Sequence, residues 1–243
     1  MNMKKIIVLF LSAFLMAGCS ASPQQKEEKD TEIIETELEA TPENIVQEAL
    51  TKLYDAKSFD MEYMWEATPS NDFFEYHKTT ITGTFSDVQN EVFEGYYKDE
   101  RYEDKETNTT KMGDMVTEGP ITKKAGEDAI LPAEYNGGYE YSIGAILMFP
   151  EPCPSQGDSF DEYSESTEEV ESGTQYTFHV VDTTFEGNGI SYQETNDFVY
   201  IVDHDGNLIY AKKTWIRPFK TNEGAITDQM RTVVTEFKYK NIQ

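Results

Sequence analysis

The sequence is poor in cations, in cysteine, in histidine and in long apolar runs. Lys and Arg number 20 against 46 Asp and Glu, a formal charge of −26 over 243 residues. That sign excludes nucleic acid as a main partner, because phosphate binding needs a basic face. It also opposes unaided adhesion to an anionic membrane. Three histidines occur, His77, His179 and His204, far apart in sequence. No HExxH, GxSxG or paired-cysteine pattern accompanies them, so no signature of metal hydrolysis or of a serine nucleophile is present. The chain therefore reads as a non-enzymatic protein with no cofactor and no metal.

Cysteine is limited to Cys19 and Cys153. Cys153 lies among prolines and carboxylates in Pro150-Glu151-Pro152-Cys153-Pro154. Nothing cationic stands near it in sequence to lower the thiol pKa. The apolar run Ile6 to Met16 has eleven residues. A membrane-spanning helix needs about 20, so this run has the length of a signal-peptide core. What the chain has in quantity is aromatic side chains, 14 Phe, 15 Tyr and 2 Trp, enough to build a packed core.

Lys4 and Lys5 precede the apolar run, and Leu15-Met16-Ala17-Gly18-Cys19 follows or closes it. This segment resembles the lipobox of a bacterial lipoprotein precursor. Met16 stands where such boxes usually have Leu. The resemblance implies diacylglycerol on Cys19, loss of residues 1–18, and a mature protein on the extracytoplasmic face of the cell membrane. Two acyl chains anchor stably where one does not. With Cys19 lipidated, Cys153 has no intramolecular disulfide partner.

Residues 20–40 hold seven acids, two lysines and few apolar side chains. Such a segment buries too little to offset its ordering entropy and reads as a tether. As flexible coil it reaches roughly 25 Å. The organisation expected is residues 1–18 as signal peptide, 19–40 as lipidated cysteine and tether, and 41–243 as one domain.

The body opens with helix punctuation at Thr41-Pro42-Glu43, a cap, a first-turn proline and an acid near the positive dipole end. Ile45, Val46, Ala49, Leu50 and Leu53 recur at helical spacing, which predicts a helix to about Lys57. From Phe59 the period becomes two. Phe59, Met61, Tyr63 and Trp65 alternate with Asp60, Glu62 and Glu66, the pattern of a strand with one wet face. Strand-like stretches follow near 73–86, 91–102, 108–117, 174–185, 190–202, 208–219 and 229–239. Residues 120–172 are less regular. Tyr139 to Phe149 reads as either a buried strand or a short helix. Residues 151–171, with seven carboxylates from Asp158 to Glu171, read as a long exposed loop.

A lipobox, an acidic tether, a helix ending Asp55-Ala56-Lys57-Ser58-Phe59 and an immediate Met61-Glu62-Tyr63 strand resemble small lipoproteins of low-GC Gram-positive bacteria. These are similar to the lipoprotein-carrier (LolA/LolB-like) superfamily. The resemblance implies an α+β fold in which a strongly curved antiparallel sheet, an unclosed barrel, packs on one N-terminal amphipathic helix. It also implies an apolar or lipid-like ligand between sheet and helix, and no catalytic signature.

The residues agree with that order, since one helix followed by many strands with one apolar face must wrap on each other. Trp65, Tyr141, Leu147, Met148 and Phe149 are the candidates to line an apolar cavity, with ordinary core as the plainer use of the same residues. Met61, Met64, Met112, Met115 and Met148 read as packing rather than as copper ligands. Asp203-His204-Asp205-Gly206-Asn207 departs from a calcium loop at its sixth and twelfth positions, Leu208 and Thr214, and reads as a hairpin turn.

No Lys or Arg occurs from Ala125 to Ala211, whereas Lys212, Lys213, Arg217, Lys220, Arg231, Lys238 and Lys240 crowd the C-terminal end. The last strands are thus expected to neutralise the acidic middle, with Asp197 near Lys213 or its neighbour. The alternative to a ligand-binding module is a cell-surface interaction module without a small ligand, its partner an envelope protein.

Overall fold

A computed structural model describes residues 41–70, 75–103, 116–130, 149–185, 189–221 and 223–243. These all belong to one compact unit. Cys19, the lipobox, the tether, Tyr141, Leu147 and Met148 lie outside the described residues.

Helix α1 spans Pro42–Tyr54. The Thr41 side chain accepts from the Asn44 N–H at 3.3 Å, and Pro42 takes the first turn, where its missing N–H costs nothing. Val46, Ala49, Leu50 and Leu53 form its buried stripe. The helix stops at Tyr54 rather than near Lys57 because tertiary backbone bonds claim the next residues. The Lys57 N–H donates to the Gln243 carbonyl at 2.6 Å, and the Lys57 carbonyl accepts from Val88 at 3.0 Å.

Nine strands follow: β1 Phe59–Thr68, β2 Tyr76–Asp87, β3 Val92–Tyr102, β4 Val116–Lys123, β5 Glu162–Val170, β6 Gly173–Phe185, β7 Ser191–Val202, β8 Leu208–Lys220 and β9 Ile226–Lys240. They form one open antiparallel sheet ordered β4-β3-β2-β1-β9-β8-β7-β6-β5. The chain makes a meander from the centre to one edge, crosses to the far edge, and returns by a second meander. The first and last strands therefore pair at the middle, Tyr63 opposite Phe237. Helix α1 lies against β7 and β8. Its stripe meets Phe59, Met61, Phe85, Tyr176, Tyr200, Leu208 and Tyr239 in one core. Gly83 and Gly95 face each other across β2 and β3. A Cβ on either would come within 2.5–2.7 Å of the Phe93 ring, so the bare backbone there is what lets that ring lie flat over the ladder.

Two strands correct the sequence reading. Of the stretch expected near 108–117, residues 108–115 lie outside the described residues, and the strand runs on to Lys123, into a segment expected to be irregular. The acidic segment taken as an exposed loop contains β5, from Glu162 to Val170. Both are edge strands, which explains the misreading. Pro120 in β4 donates nothing to a ladder and belongs only at an edge. Along β5, Glu162, Glu165, Glu168 and Glu169 are all exposed, so no period-two signal survives. Charges on an edge strand also discourage pairing with another chain.

Asp197 lies across from the neighbour of Lys213, as expected, but its side-chain partner is a histidine. Thr214 sits opposite it in the register, while its carboxylate contacts His179 Nδ1 at 2.6 Å. Lys213 instead pairs with Glu151, also at 2.6 Å. The residues 203–207 do form a hairpin turn. The Asp203 carboxylate accepts from the backbone of Asp205 and Asn207 at 2.9 and 2.8 Å, and Gly206 supplies φ +75°.

Candidate functional site

Cross-strand register places residues of six strands in rows on one face of the sheet. Tyr97, Ile81, Tyr63, Phe237, Ala211 and Tyr200 are successive partners from β3 through to β7. Two residues along, the row reads Asp99, Thr79, Trp65, Thr235, Lys213 and Phe198. The next reads Arg101, His77, Ala67, Val233, Trp215 and Asn196. Side chains from these rows border a cavity of about 400 Å³, which Phe149, Pro150 and Glu151 border as well. That volume lies in the range of small-molecule sites, ~300–1,000 Å³. Strands β3 and β7 are five places apart, about 24 Å at normal strand spacing. Both border this one cavity, so the sheet bends around it.

The rows grade in polarity. Nearest α1, the floor is aromatic and aliphatic. Burial in that row pushes the Tyr63 hydroxyl up to about 12. The 149–151 segment is held from both sides. Phe149 packs on Tyr54 with ring centroids 4.1 Å apart, and the Tyr200 hydroxyl donates to the Glu151 carbonyl at 2.7 Å.

Farther from α1, one wall carries a polar cluster. Asp99, only 4 % exposed, takes contacts from His77 Nε2 at 2.6 Å, Thr79 Oγ1 at 2.7 Å and Arg101 Nε at 2.9 Å. Burial alone would raise this carboxyl. The hydrogen bond and charge of His77, the Thr79 hydroxyl and the Arg101 guanidinium outweigh it, leaving Asp99 below the usual carboxylate range. His77 also meets the Trp65 ring edge-on, centroids 4.9 Å apart. On the opposite wall, Lys213 Nζ lies 5.1 Å from the Phe198 ring centre, and the Trp215 indole donates to Glu194 at 2.7 Å.

Of the five lining residues expected from sequence, Trp65 and Phe149 border the cavity; the other three lie outside the described residues. Sequence reasoning missed Asp99, Arg101, Lys213 and Trp215. Their signal was parity, since Asp99 and Arg101 share a face with Phe93 and Tyr97, but only the register shows which strands meet.

The histidines do not converge. His77 borders the cavity. His179 alternates with the buried Phe178 and Val180 and so stands on the opposite face, and His204 is in the exposed β7–β8 turn. Among the described residues no group of three metal-ligating side chains gathers. Cys153 is buried with its thiol 3.7 Å from the Glu43 carbonyl. Burial first, then the Glu43 charge, push it up to about 11.

No protein-family model matches the chain. No curated protein matches it either. Among solved structures it bears a weak resemblance to a LolA superfamily protein from Nitrosomonas europaea. The TM-score is 0.22 at 10% identity, over 84% of this chain and 95% of that one.

Proposed function

We propose that this protein is a non-enzymatic binding module for an apolar or lipid-like ligand, held on the extracytoplasmic face of the cell membrane by lipid on Cys19. The observation that carries the binding role is the cavity of about 400 Å³, floored by Tyr63, Tyr97, Phe198, Tyr200 and Phe237 and flanked by both tryptophans of the chain. Aromatic walls with a few placed polar groups are what small-ligand sites share. The anchor is supported by Lys4, Lys5 and the Leu15–Cys19 segment.

Because Trp65 and Trp215 both border the cavity, ligand entry reports directly in tryptophan emission. Organic extraction of the purified Cys19→Ala chain, followed by mass spectrometry, is expected to release an amphiphile. Adding that compound back to the stripped protein shifts the emission saturably. An extract without any such compound, together with unchanged emission on titration with alkyl amphiphiles, refutes the binding role. Retained membrane association and normal maturation of Cys19→Ala in the cell refute the anchor.

A second reading, an interaction surface, is favoured by Phe185, 80 % exposed at the end of β6, near the acidic edge strand. It predicts that Phe185→Ser loses an envelope-protein partner while ligand binding stays intact.

A further inference from the structure

The cations of this acidic chain are not spread evenly over the sheet. One row beyond Trp215 and Val233, on the same face, Arg217 of β8 stands directly opposite Arg231 of β9. Like charges in direct register destabilise a ladder, so the pair needs a reason. Neither arginine has a carboxylate partner among the described residues. The Nε atoms of both are buried without a hydrogen-bond partner among them. Burial and the Arg217 charge depress Arg231. Arg217 is held in place, its guanidinium carbon 4.1 Å from the Trp215 ring centre, and Trp215 is in turn fixed by Glu194. The nearby carboxylate is therefore already occupied, with Glu194 also accepting from Thr184 at 2.5 Å.

We infer that Arg217 and Arg231 seat the anionic head of the ligand, so that the cavity takes a single-headed anionic amphiphile with its tail toward α1. This rests on the binding role proposed above and specifies its ligand. Two guanidinium forks side by side match the oxygens of one carboxylate or phosphate monoester. From the Arg217–Arg231 row to the Phe237–Ala211 row is six residues along each strand, about 20 Å at normal strand rise. Along that path the sheet face passes from the arginine pair, one row outside the residues that border the cavity, through the mixed Trp65–Lys213 row, to the aromatic row. A bound anion removes the Arg–Arg repulsion, and the aromatic end buries the tail.

Calorimetric titration of the stripped Cys19→Ala chain with dodecanoate, dodecyl phosphate and dodecanol tests this, with inorganic phosphate as the tailless arm. The alkyl tails are equal for dodecyl phosphate and dodecanol and one methylene shorter for dodecanoate, which counts against it, so a tighter anion reports the head, and the two anions separate carboxylate from phosphate sources. Expected is binding of at least one anion about tenfold or more tighter than dodecanol, with no binding of inorganic phosphate at millimolar concentration. Arg217→Gln and Arg231→Gln each erase that advantage and leave dodecanol unchanged. Arg231→Lys, which keeps the charge but not the fork, retains only part of it. The melting temperature of Arg231→Gln does not fall, since a like-charge contact is lost.

Equal binding of dodecanol and both anions by the unmodified site overturns the inference while leaving the cavity's binding role standing. So does undiminished anion binding in both Gln variants. Failure of all the C12 compounds overturns the role and the inference together.

Discussion

Asp99→Asn isolates the only strongly buried carboxylate among the described residues. Asparagine keeps the shape, and its oxygen still accepts from Thr79 and the His77 ring, which share Oδ1 of the native carboxylate. Its amide nitrogen replaces Oδ2, so a donor now faces the Arg101 Nε–H that Oδ2 accepts at 2.9 Å. One charge-assisted hydrogen bond is lost, worth ~1.5–3 kcal/mol. The relief of no longer burying an ion offsets part of this, and Arg101 retains some contact with solvent, its side chain 22% exposed. The net loss expected at pH 7 is about 1–2 kcal/mol.

The sign of the pH dependence follows from the depressed folded pKa. The unfolded carboxyl titrates near ~3.9. The stabilisation from Asp99 is complete above that value and is lost as pH falls through the lower folded value. Urea unfolding of wild type and Asp99→Asn at pH 7, 5, 4 and 3 should show a gap that is present at pH 7 and closes below about pH 4. Comparing the two proteins at each pH cancels the other carboxylates. Equal stabilities at pH 7, or a gap that persists unchanged at pH 3, would refute the account of this cluster.

Other outcomes follow from the same geometry. Leu50→Ala removes a side chain 1% exposed in the α1 stripe and should cost about 2–5 kcal/mol in urea unfolding; a loss under ~1 kcal/mol would mean the helix is not integral to the core. Thr235→Phe, in the middle of the cavity floor between Trp65 and Lys213, should abolish the ligand-induced tryptophan shift with little change in melting temperature; full binding would place the ligand elsewhere. Cys153, with its thiol raised to about 11, should resist disulfide reagents at pH 8 in the native protein and react fully in denaturant. Rapid stoichiometric labelling of the native chain would contradict its burial.

Local chemistry made α1 and most strands legible. The Thr41-Pro42-Glu43 start and the 3.6-residue stripe specify the helix. Alternation from Phe59 to Trp65, and the long aromatic strands from β6 to β9, specify half-buried sheet. The edges were not legible. β4 carries Gly119-Pro120 and β5 is a row of acids, because an edge strand has fewer packing obligations and more reason to repel other chains.

The sequence by itself determined an acidic chain with a short apolar run near its N-terminus, one amphipathic helix and a set of strands with an apolar face, and two of the residues that border the cavity. Those features are local, written in periods of 3.6 and 2 that any single segment displays. Tertiary structure alone decided which strands meet. Placing β9 between β1 and β8 brings Trp65 alongside Thr235 and Lys213, gathers His77 and Arg101 on Asp99, and sets Arg217 against Arg231. A shift of one residue in any of those registers would turn its row to the other face.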